Sequence, residues 1–398
     1  MTQNSELDLL QCFVCRSNNF EQITLYQNLL DASDFREVGE ENIGFTYVLT
    51  TCRNCGHSAI QSENPCLLPT RKYDFIKYGE PIEHYPGVSS ILNSLNIDLS
   101  DISIHTFSYK DFQLANFLAK SLKISDVNLN DYVGCSDDWL PVMSNSRSKP
   151  DPIPLIRFIT EIKNSKKSHQ IILITRIFDH VTNYDLLKKL LDLISPTRHI
   201  VFELNDYERL FELDILEFVW NERRNLLRRS HLESILRRSN LKFTIFAYES
   251  PEVEPALTGV ISERLTQASN STTEDIIKLS APHLIEKLIS LRQRWQDQLA
   301  TTHKLGIIGA SHKGVSLAQF VLGIHTQYSL HDDKEALKGK TPPVNPPLGF
   351  HSVSGFDFSN YSHIAITTTL VIAKKIIPKL RASGYTGEIL DFDCRKLD

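Results

Sequence analysis

Two Cys-x-x-Cys pairs constrain this sequence more than any other feature. They are Cys12 with Cys15 and Cys52 with Cys55, and Gly56 follows the second pair directly. This spacing lets two thiolates reach one ion from a tight turn, and glycine suits such a turn because it adopts positive φ without strain. Four thiolates make a closed tetrahedral zinc site, which stabilises a fold and leaves no position open for catalysis. The sequence therefore predicts structural zinc, and the alternative is two redox-active or buried cysteine pairs.

The remaining cysteines and the charge balance indicate the cellular context. Of the seven cysteines, Cys66, Cys135 and Cys394 are isolated, which is typical of buried or surface thiols. Residues 1–10 hold two acidic side chains and no apolar stretch, and the sequence has no run of about 20 apolar residues such as a membrane helix needs. We therefore expect a cytoplasmic protein. The net charge of -5 gives no support to a nucleic-acid-binding surface or a polybasic membrane anchor.

The 398 residues are too many for one ordinary hydrophobic core. Ile171–Thr175 is a continuous apolar run with β-branched residues, typical of a strand buried on both faces. Similar strands alternate with amphipathic helices around it and again after residue 304, which predicts an α/β fold with parallel sheets. The predicted parts are a zinc module (1–70), a central Rossmann-like domain (71–268), a helical connector (269–302) and a C-terminal Rossmann-like domain (303–398).

The turn from Gly309 to Gly314 is the strongest local motif in the α/β parts. A strand ends there, a glycine-framed turn follows and a helix begins, so backbone N–H groups can meet a phosphate. Lys313 adds a positive charge and Ser311 a hydroxyl. Asp332 follows the next strand, at a position where an acid commonly binds a ribose hydroxyl. Lys340 belongs to a basic loop that is expected to fold back over the same predicted site. The alternatives are a turn that binds nothing and a solvated acidic loop.

The central domain lacks the glycine loop that an adenosyl cofactor approaches. Its first predicted strand is Ile102–Phe107, and the stretch from this strand to the next predicted helix, Ile102–Asp111 (ISIHTFSYKD), contains no glycine. Bulky side chains at this position block the close backbone approach that such a cofactor uses. The sequence therefore argues against a cofactor at the first strand.

Candidate catalytic residues occur elsewhere in the central domain. His180 comes just after the buried strand, at the edge where open α/β sheets place their sites. Glu222 and Arg223 lie in a polar, charged run, and His84 with Tyr85 are secondary candidates. The alternatives are a structural histidine and a solvated helix face with ion pairs.

The order of the cysteines, the central α/β domain and the C-terminal unit resembles the sugar C-methyltransferases. Gly309-Ala-Ser with Lys313-Gly314 is similar to the family's G-A-x-x-K-G turn, and Asp332 and Lys340 fall where the family has an aspartate and a K-x-G-K-like loop. His180 matches the family's histidine after the fourth strand, and Glu222 is the residue kept from its Tyr-His-Glu-His run. The resemblance implies structural zinc, a class I methyltransferase-like central domain that uses S-adenosylmethionine, and a C-terminal domain that helps to bind a nucleotide-linked 4-keto-deoxysugar.

The resemblance stops at the cofactor loop, because the family's E-x-G-x-G-like sequence is replaced here by His105–Asp111. Three functions stay open. One is methyl transfer in deoxysugar or polysaccharide biosynthesis through a diverged loop. Another is an epimerase or isomerase in which His180 and Glu222 move the proton next to the ketone, while Arg223 stabilises the enolate or holds a diphosphate. The third is a catalytically silent protein that binds a sugar nucleotide or a partner.

Overall fold

The structure is a computed structural model, and it describes most of the chain. The described residues are 11–30, 36–37, 44–62, 82–130, 153–165, 167–180, 184–216, 225–250, 253–266, 281–299, 304–309, 312–322, 327–333, 337, 340–342, 344, 350–354 and 356–398.

The described strands and helices alternate along most of these ranges. The strands are β1 (Phe20–Leu30), β2 (Arg36–Glu37), β3 (Gly44–Cys52), β4 (Ser58–Ser62), β5 (Ile102–Thr106), β6 (Asp126–Asn128), β7 (His169–Thr175), β8 (Arg198–Asn205), β9 (Asn225–Leu226), β10 (Phe243–Ser250), β11 (Val253–Ile261), β12 (Leu305–Ile308), β13 (Tyr328–His331), β14 (Lys340–Thr341), β15 (Phe350–His351), β16 (His363–Ile366) and β17 (Glu388–Leu390). The α-helices are α1 (Tyr85–Ser94), α2 (Phe112–Leu122), α3 (Ile153–Asn164), α4 (Ile177–His180), α5 (Tyr184–Leu191), α6 (Tyr207–Glu212), α7 (Arg229–Arg238), α8 (Ala281–Leu299), α9 (His312–Ser316) and α10 (Leu370–Ala382).

The N-terminal sheet is antiparallel and incorporates a strand from much later in the chain. Its order is β1-β3-β4-β9, so that Ser58 and Ala59 of β4 pair with Leu226 and Asn225 of β9. A separate two-residue ladder joins β2 to β14 of the C-terminal part. Backbone pairing therefore ties the N-terminal part of the chain to both α/β parts.

The central sheet combines four parallel strands with an antiparallel hairpin. Within the described residues its order is β10-β11-β8-β7-β5-β6; β6, β5, β7 and β8 are parallel, whereas β11 is antiparallel to both β8 and β10. Every residue of β7 is buried, as expected for a strand covered by helices on both faces. The chain crosses from β5 to β6 on one side and then returns to β7 on the other. The strand order therefore reverses between β5 and β7, and open α/β sheets bind ligands at such a reversal point.

The C-terminal sheet is a second, wholly parallel α/β layer. Its order is β15-β13-β12-β16-β17, with the reversal between β12 and β16. The predicted helix at 315–322 is observed as α9 followed by a π-helical segment, Leu317–Leu322. The turn after β12 thus lies at the reversal point of this sheet.

One apolar cluster joins the N-terminal sheet, α6 of the central part and the C-terminal sheet through α8. Trp295 of α8 is fully buried in it, together with Leu49 of β3, Leu210 of α6 and Leu305 of β12. The indole N–H of Trp295 also donates to the carbonyl of Phe392 at 3.0 Å. The predicted connector helix therefore packs as core between the parts that it links. In the described ranges no helix combines the length and apolar character needed to cross a membrane.

Candidate functional site

Two turns of the same construction carry the four cysteines. In one, the N–H of Arg16 donates to the carbonyl of Cys12 at 2.9 Å, and in the other the N–H of Gly56 donates to the carbonyl of Cys52 at 2.8 Å. Arg16 and Gly56 have φ of 67° and 72°, so in both turns the backbone reverses immediately after the second cysteine of the pair. The turn predicted from Gly56 is therefore present, and Arg16 adopts the same conformation without being a glycine.

The four sulfurs form one compact cluster. Cys12 Sγ lies 3.5 Å from Cys55 Sγ, Cys15 Sγ lies 3.5 Å from Cys52 Sγ, and all four atoms are within 4.8 Å of one another. A tetrahedral ion with metal–sulfur bonds of about 2.3 Å places its sulfurs about 3.8 Å apart. The cluster therefore fits a four-coordinate metal ion, and such an ion would fasten the two turns together.

Arg228, which precedes α7, and His231 of α7 hold the second turn against the central domain. The Arg228 guanidinium donates to the carbonyl of Cys55 at 3.2 Å and lies 2.9 Å from His231 Nε2, which is 3.0 Å from the same carbonyl. A β-carbon on Gly56 would lie 2.8 Å from Nη2 of Arg228. The close packing of Arg228 is a second reason, besides the positive φ, for glycine at this position.

Asp111 occupies the reversal point of the central sheet. One carboxylate oxygen accepts the N–H groups of Phe107 and Ser108, each at 2.9 Å, and the other accepts the N–H of Thr175 at 2.7 Å. Phe107 and Ser108 follow β5, and Thr175 ends β7, so one carboxylate spans the two strands between which the order reverses. Ser108 in turn caps the short helical turn that carries Asp111.

The Asp111 carboxyl is completely buried, and burial raises its pKa to about 6 in spite of these hydrogen bonds. Phe107 beside it is also fully buried and packs edge-on against Phe158 of α3, with 5.2 Å between ring centroids. A cofactor at this turn would need the backbone N–H groups that Asp111 already occupies and the space that Phe107 fills. The residues at the turn therefore do not fit S-adenosylmethionine.

A second buried polar cluster lies along the same edge of the sheet. Glu203 of β8 places Oε2 2.8 Å from His84 Nε2 and Oε1 3.2 Å from Arg176 Nη2. Arg176 also donates to the side-chain oxygen of Asn205. Each of these side chains is at most 5% exposed, and Arg176 has a φ of 64°. The sequence pointed to His84 and missed Glu203 and Arg176, because both are embedded in strand-like or turn segments with no motif around them.

The turn after β12 has the tight geometry that its glycines predict. Gly309 has a φ of 89°, and a β-carbon there would lie 2.5 Å from Thr368 Cγ2. A β-carbon on Gly314 would lie 2.7 Å from the carbonyl oxygen of Gly309, while the Thr367 hydroxyl donates to that oxygen at 2.8 Å. Both glycines are therefore needed for the turn itself, whether or not it binds a ligand.

Lys313 of this turn reaches across to the central domain. Its Nζ donates to Glu254 Oε1 at 2.7 Å, and the two side chains are 12% and 24% exposed. Glu254 lies in β11 two residues before Ala256, which pairs with Asn205 at the end of β8. The predicted phosphate-binding turn of one sheet thus contacts the carboxyl edge of the other.

The remaining predicted site residues are only partly visible. Glu222, Arg223 and Ser311 lie outside the described residues, and of His180 and Lys340 only the backbone is described, at the end of α4 and in β14. The N–H of Asp332 donates to the carbonyl of His351 at 3.0 Å. The neighbouring Asp333 carboxylate binds the backbone N–H groups of Val353 and Ser354 instead of pointing to an open site.

No protein-family profile matches the sequence, and a comparison with curated proteins finds no match. Among solved structures, the methyltransferase domain of the bacterial protein CtHen1 aligns with 45% of this chain and 97% of its own, at 11% identity and a TM-score of 0.28. The plantazolicin methyltransferase BpumL, solved in complex with SAH, aligns with 45% of this chain and 82% of its own, at 17% identity and a TM-score of 0.27. The strand order of the structure itself confirms the predicted α/β fold class: a mostly parallel central sheet, a second parallel sheet and an N-terminal cysteine cluster.

Proposed function

We propose that this chain is a methyltransferase-like protein of deoxysugar or polysaccharide biosynthesis that binds a nucleotide-linked keto-sugar without using S-adenosylmethionine. The observation that carries the proposal is the Asp111 carboxylate, which takes three backbone N–H groups at the reversal point of the central sheet. An anionic cofactor end would compete for the same donors with a group that is covalently attached and fully buried.

The sugar-nucleotide part of the proposal is supported by the contact between Lys313 and Glu254. In the resemblance to sugar C-methyltransferases, Lys313 belongs to the turn that grips the sugar nucleotide. Its ion pair with Glu254 brings that turn to the carboxyl edge of the central sheet, where α/β proteins act on their ligands. A diphosphate bound by Lys313 would present the attached sugar to this edge.

Structural zinc and a cytoplasmic location belong to the same proposal. Four sulfur ligands in tetrahedral reach favour Zn²⁺, and the thiols must stay reduced to bind it. Zinc would be held by Cys12, Cys15, Cys52 and Cys55, and the closed sulfur set gives it a stabilising role only.

Calorimetry on the full-length protein tests both parts. We expect binding of thymidine or uridine diphosphate-linked 4-keto-6-deoxyglucose and no binding of S-adenosylmethionine or SAH. Lys313→Met should weaken sugar-nucleotide binding at least tenfold, whereas Lys379→Met, an exposed lysine on α10, should leave it unchanged. Tight S-adenosylmethionine binding would contradict the closed cofactor site, and absence of sugar-nucleotide binding would overturn the assignment of the substrate class.

A further inference from the structure

A polar cavity of about 550 Å³ is bounded by α3 and by β5 and β6, at one edge of the described central sheet. All of its lining residues carry polar side chains, among them three carboxylates, Asp101, Asp126 and Glu161. Asp101 directly precedes β5 and Lys167 lies shortly before β7, so the cavity reaches the amino ends of these strands. It is therefore separate from the carboxyl edge of the sheet that Lys313 contacts.

The register of β5 and β6 explains why one wall of the cavity is polar. In this parallel pair Ser103 lies beside Asp126, and His105 lies beside Asn128. Because side chains alternate between the two faces of a strand, these four side chains share one face of the sheet. The intervening Ile104 lies on the other face, where it is buried in an apolar cluster. The strand pair thus packs its apolar face and turns a polar face to the cavity.

Helix α3 supplies the opposite wall in the same way. Its buried side chains include Phe158 and Ile162, which pack in a second apolar cluster. Arg157 and Glu161 are four residues apart and so lie on one stripe of the helix, where Arg157 Nε donates to Glu161 Oε1 at 3.1 Å. The helix therefore packs through its apolar side and presents Glu161 to the cavity.

His105 is the feature of the cavity that points to a ligand. Its residue surface is only 7% exposed, yet it forms part of the lining. Nε2 lies 2.8 Å from Ser103 Oγ, which leaves Nδ1 as the ring nitrogen that a ligand can meet. Burial lowers the pKa of His105, although the Asp126 and Glu161 carboxylates oppose this change, so the ring is neutral at pH 7. With its proton on Nε2, a neutral ring offers a lone pair at Nδ1.

The charges around the cavity leave an excess of carboxylate. Lys167 Nζ is 3.5 Å from Asp101 Oδ1 and 3.6 Å from Asp126 Oδ2, whereas a direct hydrogen bond between such groups measures about 2.7–2.9 Å. Lys167 thus stays loosely between the two acids. Three carboxylates outnumber Lys167 and Arg157 together, so the cavity favours a positively charged ligand.

We propose that this cavity binds a small organic ammonium ion, with Asp126, Glu161 and Nδ1 of His105 as acceptors for its N–H groups. A primary ammonium group has three donors, which matches three acceptors. Asn128, together with the neighbouring amide and hydroxyl side chains of the lining, would bind hydroxyl groups elsewhere on the ligand. This site is additional to the proposed sugar-nucleotide site and does not depend on it.

A metal ion fits the cavity less well than an ammonium ion. Within the ranges that the structure describes, a group of three or more metal-ligating atoms in mutual reach is found at the four cysteines and not here. The acids of the cavity are spread over α3, β6 and the residue before β5, a spacing suited to an organic ligand.

Calorimetry on the full-length protein tests the inference with two amines and their uncharged counterparts. Putrescine is compared with 1,4-butanediol, and glucosamine with glucose. We expect at least one amine to bind with a Kd below about 1 mM, and its counterpart to bind at least tenfold more weakly, because it lacks the charged donor. Preference for glucosamine would identify an amino sugar as the ligand type, and preference for putrescine a simple amine.

Two variants locate the binding in this cavity. Asp126→Asn and His105→Gln should each weaken amine binding at least tenfold, and near-ultraviolet circular dichroism checks that both remain folded. Asp192→Asn is the matched control: it removes an exposed carboxylate that pairs with Lys188, and it should leave binding unchanged. Failure of both amines to bind at about 10 mM would overturn the inference. Equal binding of the uncharged counterparts, or undiminished binding by folded Asp126→Asn, would overturn it as well.

Discussion

Asp111 and Thr175 are joined by a hydrogen bond of 2.7 Å from the Thr175 N–H to the Asp111 carboxylate, across the reversal point of the central sheet. The same carboxylate takes the two N–H groups that follow β5. The chain therefore satisfies, with its own anion, the donors that an α/β sheet commonly offers to a ligand.

Replacement of the Asp111 carboxylate should lower the stability of the fold. Asp111→Ala leaves three buried N–H groups without an acceptor, at roughly 1–3 kcal/mol each, so we expect the free energy of unfolding to fall by about 3 kcal/mol or more. Urea unfolding measures this loss. Added acetate supplies a free carboxylate, so it should partly restore the stability of the variant and leave that of the unmodified protein unchanged. Asp192→Ala is the control, since Asp192 forms an exposed pair with Lys188. A loss below about 1 kcal/mol would contradict the bridging role.

The cysteine cluster should contain one metal ion per chain. We expect zinc in the purified protein, a lower melting temperature after chelation, and loss of both zinc and stability in Cys52→Ser. Cys394→Ser should change neither, because Cys394 is a free, partly buried thiol outside the cluster. Metal analysis and thermal unfolding measure these quantities, and a stable metal-free protein would refute a stabilising ion.

Two glycines with nearly equal φ distinguish backbone strain from steric clash. Gly309 and Gly384 have φ of 89° and 91°, but a β-carbon would meet Thr368 at 2.5 Å in the first case and nothing within 4 Å in the second. Gly384→Ala should cost about 1–2 kcal/mol from backbone strain alone. Gly309→Ala should cost clearly more, and equal losses in denaturant unfolding would show that the turn has room to relax.

Asp393 should make stability depend on pH. Burial, with the nearby Asp391 carboxylate, raises the pKa of Asp393 to about 7, above the value of about 3.9 expected in the unfolded chain. The folded state thus binds the proton more tightly, and this contribution to stability is present below about pH 4 and is lost as the pH rises to about 7.

Asp393→Asn keeps an oxygen to accept the Leu216 N–H and carries no charge. Relative to the unmodified protein, this variant should therefore gain stability between about pH 4 and 7 and keep the gain above that range. Denaturant unfolding at pH 4, 5.5 and 7.5 checks the trend, with Asp192→Asn as the exposed control. A gain that shrinks with rising pH would be inconsistent with a raised pKa.

Local patterns in the sequence predicted much of the fold. The continuous apolar run at Ile171–Thr175 indicated a buried strand, and β7 contains it. By contrast, β11 was not predicted, because Pro255 and Gly259 disfavour a strand, yet β11 pairs on both sides. Position 259 requires glycine, because a β-carbon there would lie 2.6 Å from the Phe202 ring. No local sequence pattern reveals this contact.

The candidate site was only partly within reach of sequence reasoning. The Ser108-x-x-Asp111 spacing is a capping signal that could have identified Asp111 as a structural acid. The pairing of His84 with Glu203 had no such signal, because it depends on α1 packing over a sheet assembled from distant segments. Motif spacing therefore located the cysteine cluster and the C-terminal turn, and tertiary packing defined the buried charges.

The position of β9 in the N-terminal sheet has a consequence for how the protein is made. The ribosome releases Cys55 long before Arg228, which is 173 residues further on and donates to the carbonyl of Cys55. The edge of β4 likewise stays unpaired until Asn225 and Leu226 of β9 have been synthesised. The two cysteine-bearing turns therefore emerge well before the residues that cover them, and nascent chains carry uncovered thiols and an open strand edge while 173 further residues are synthesised.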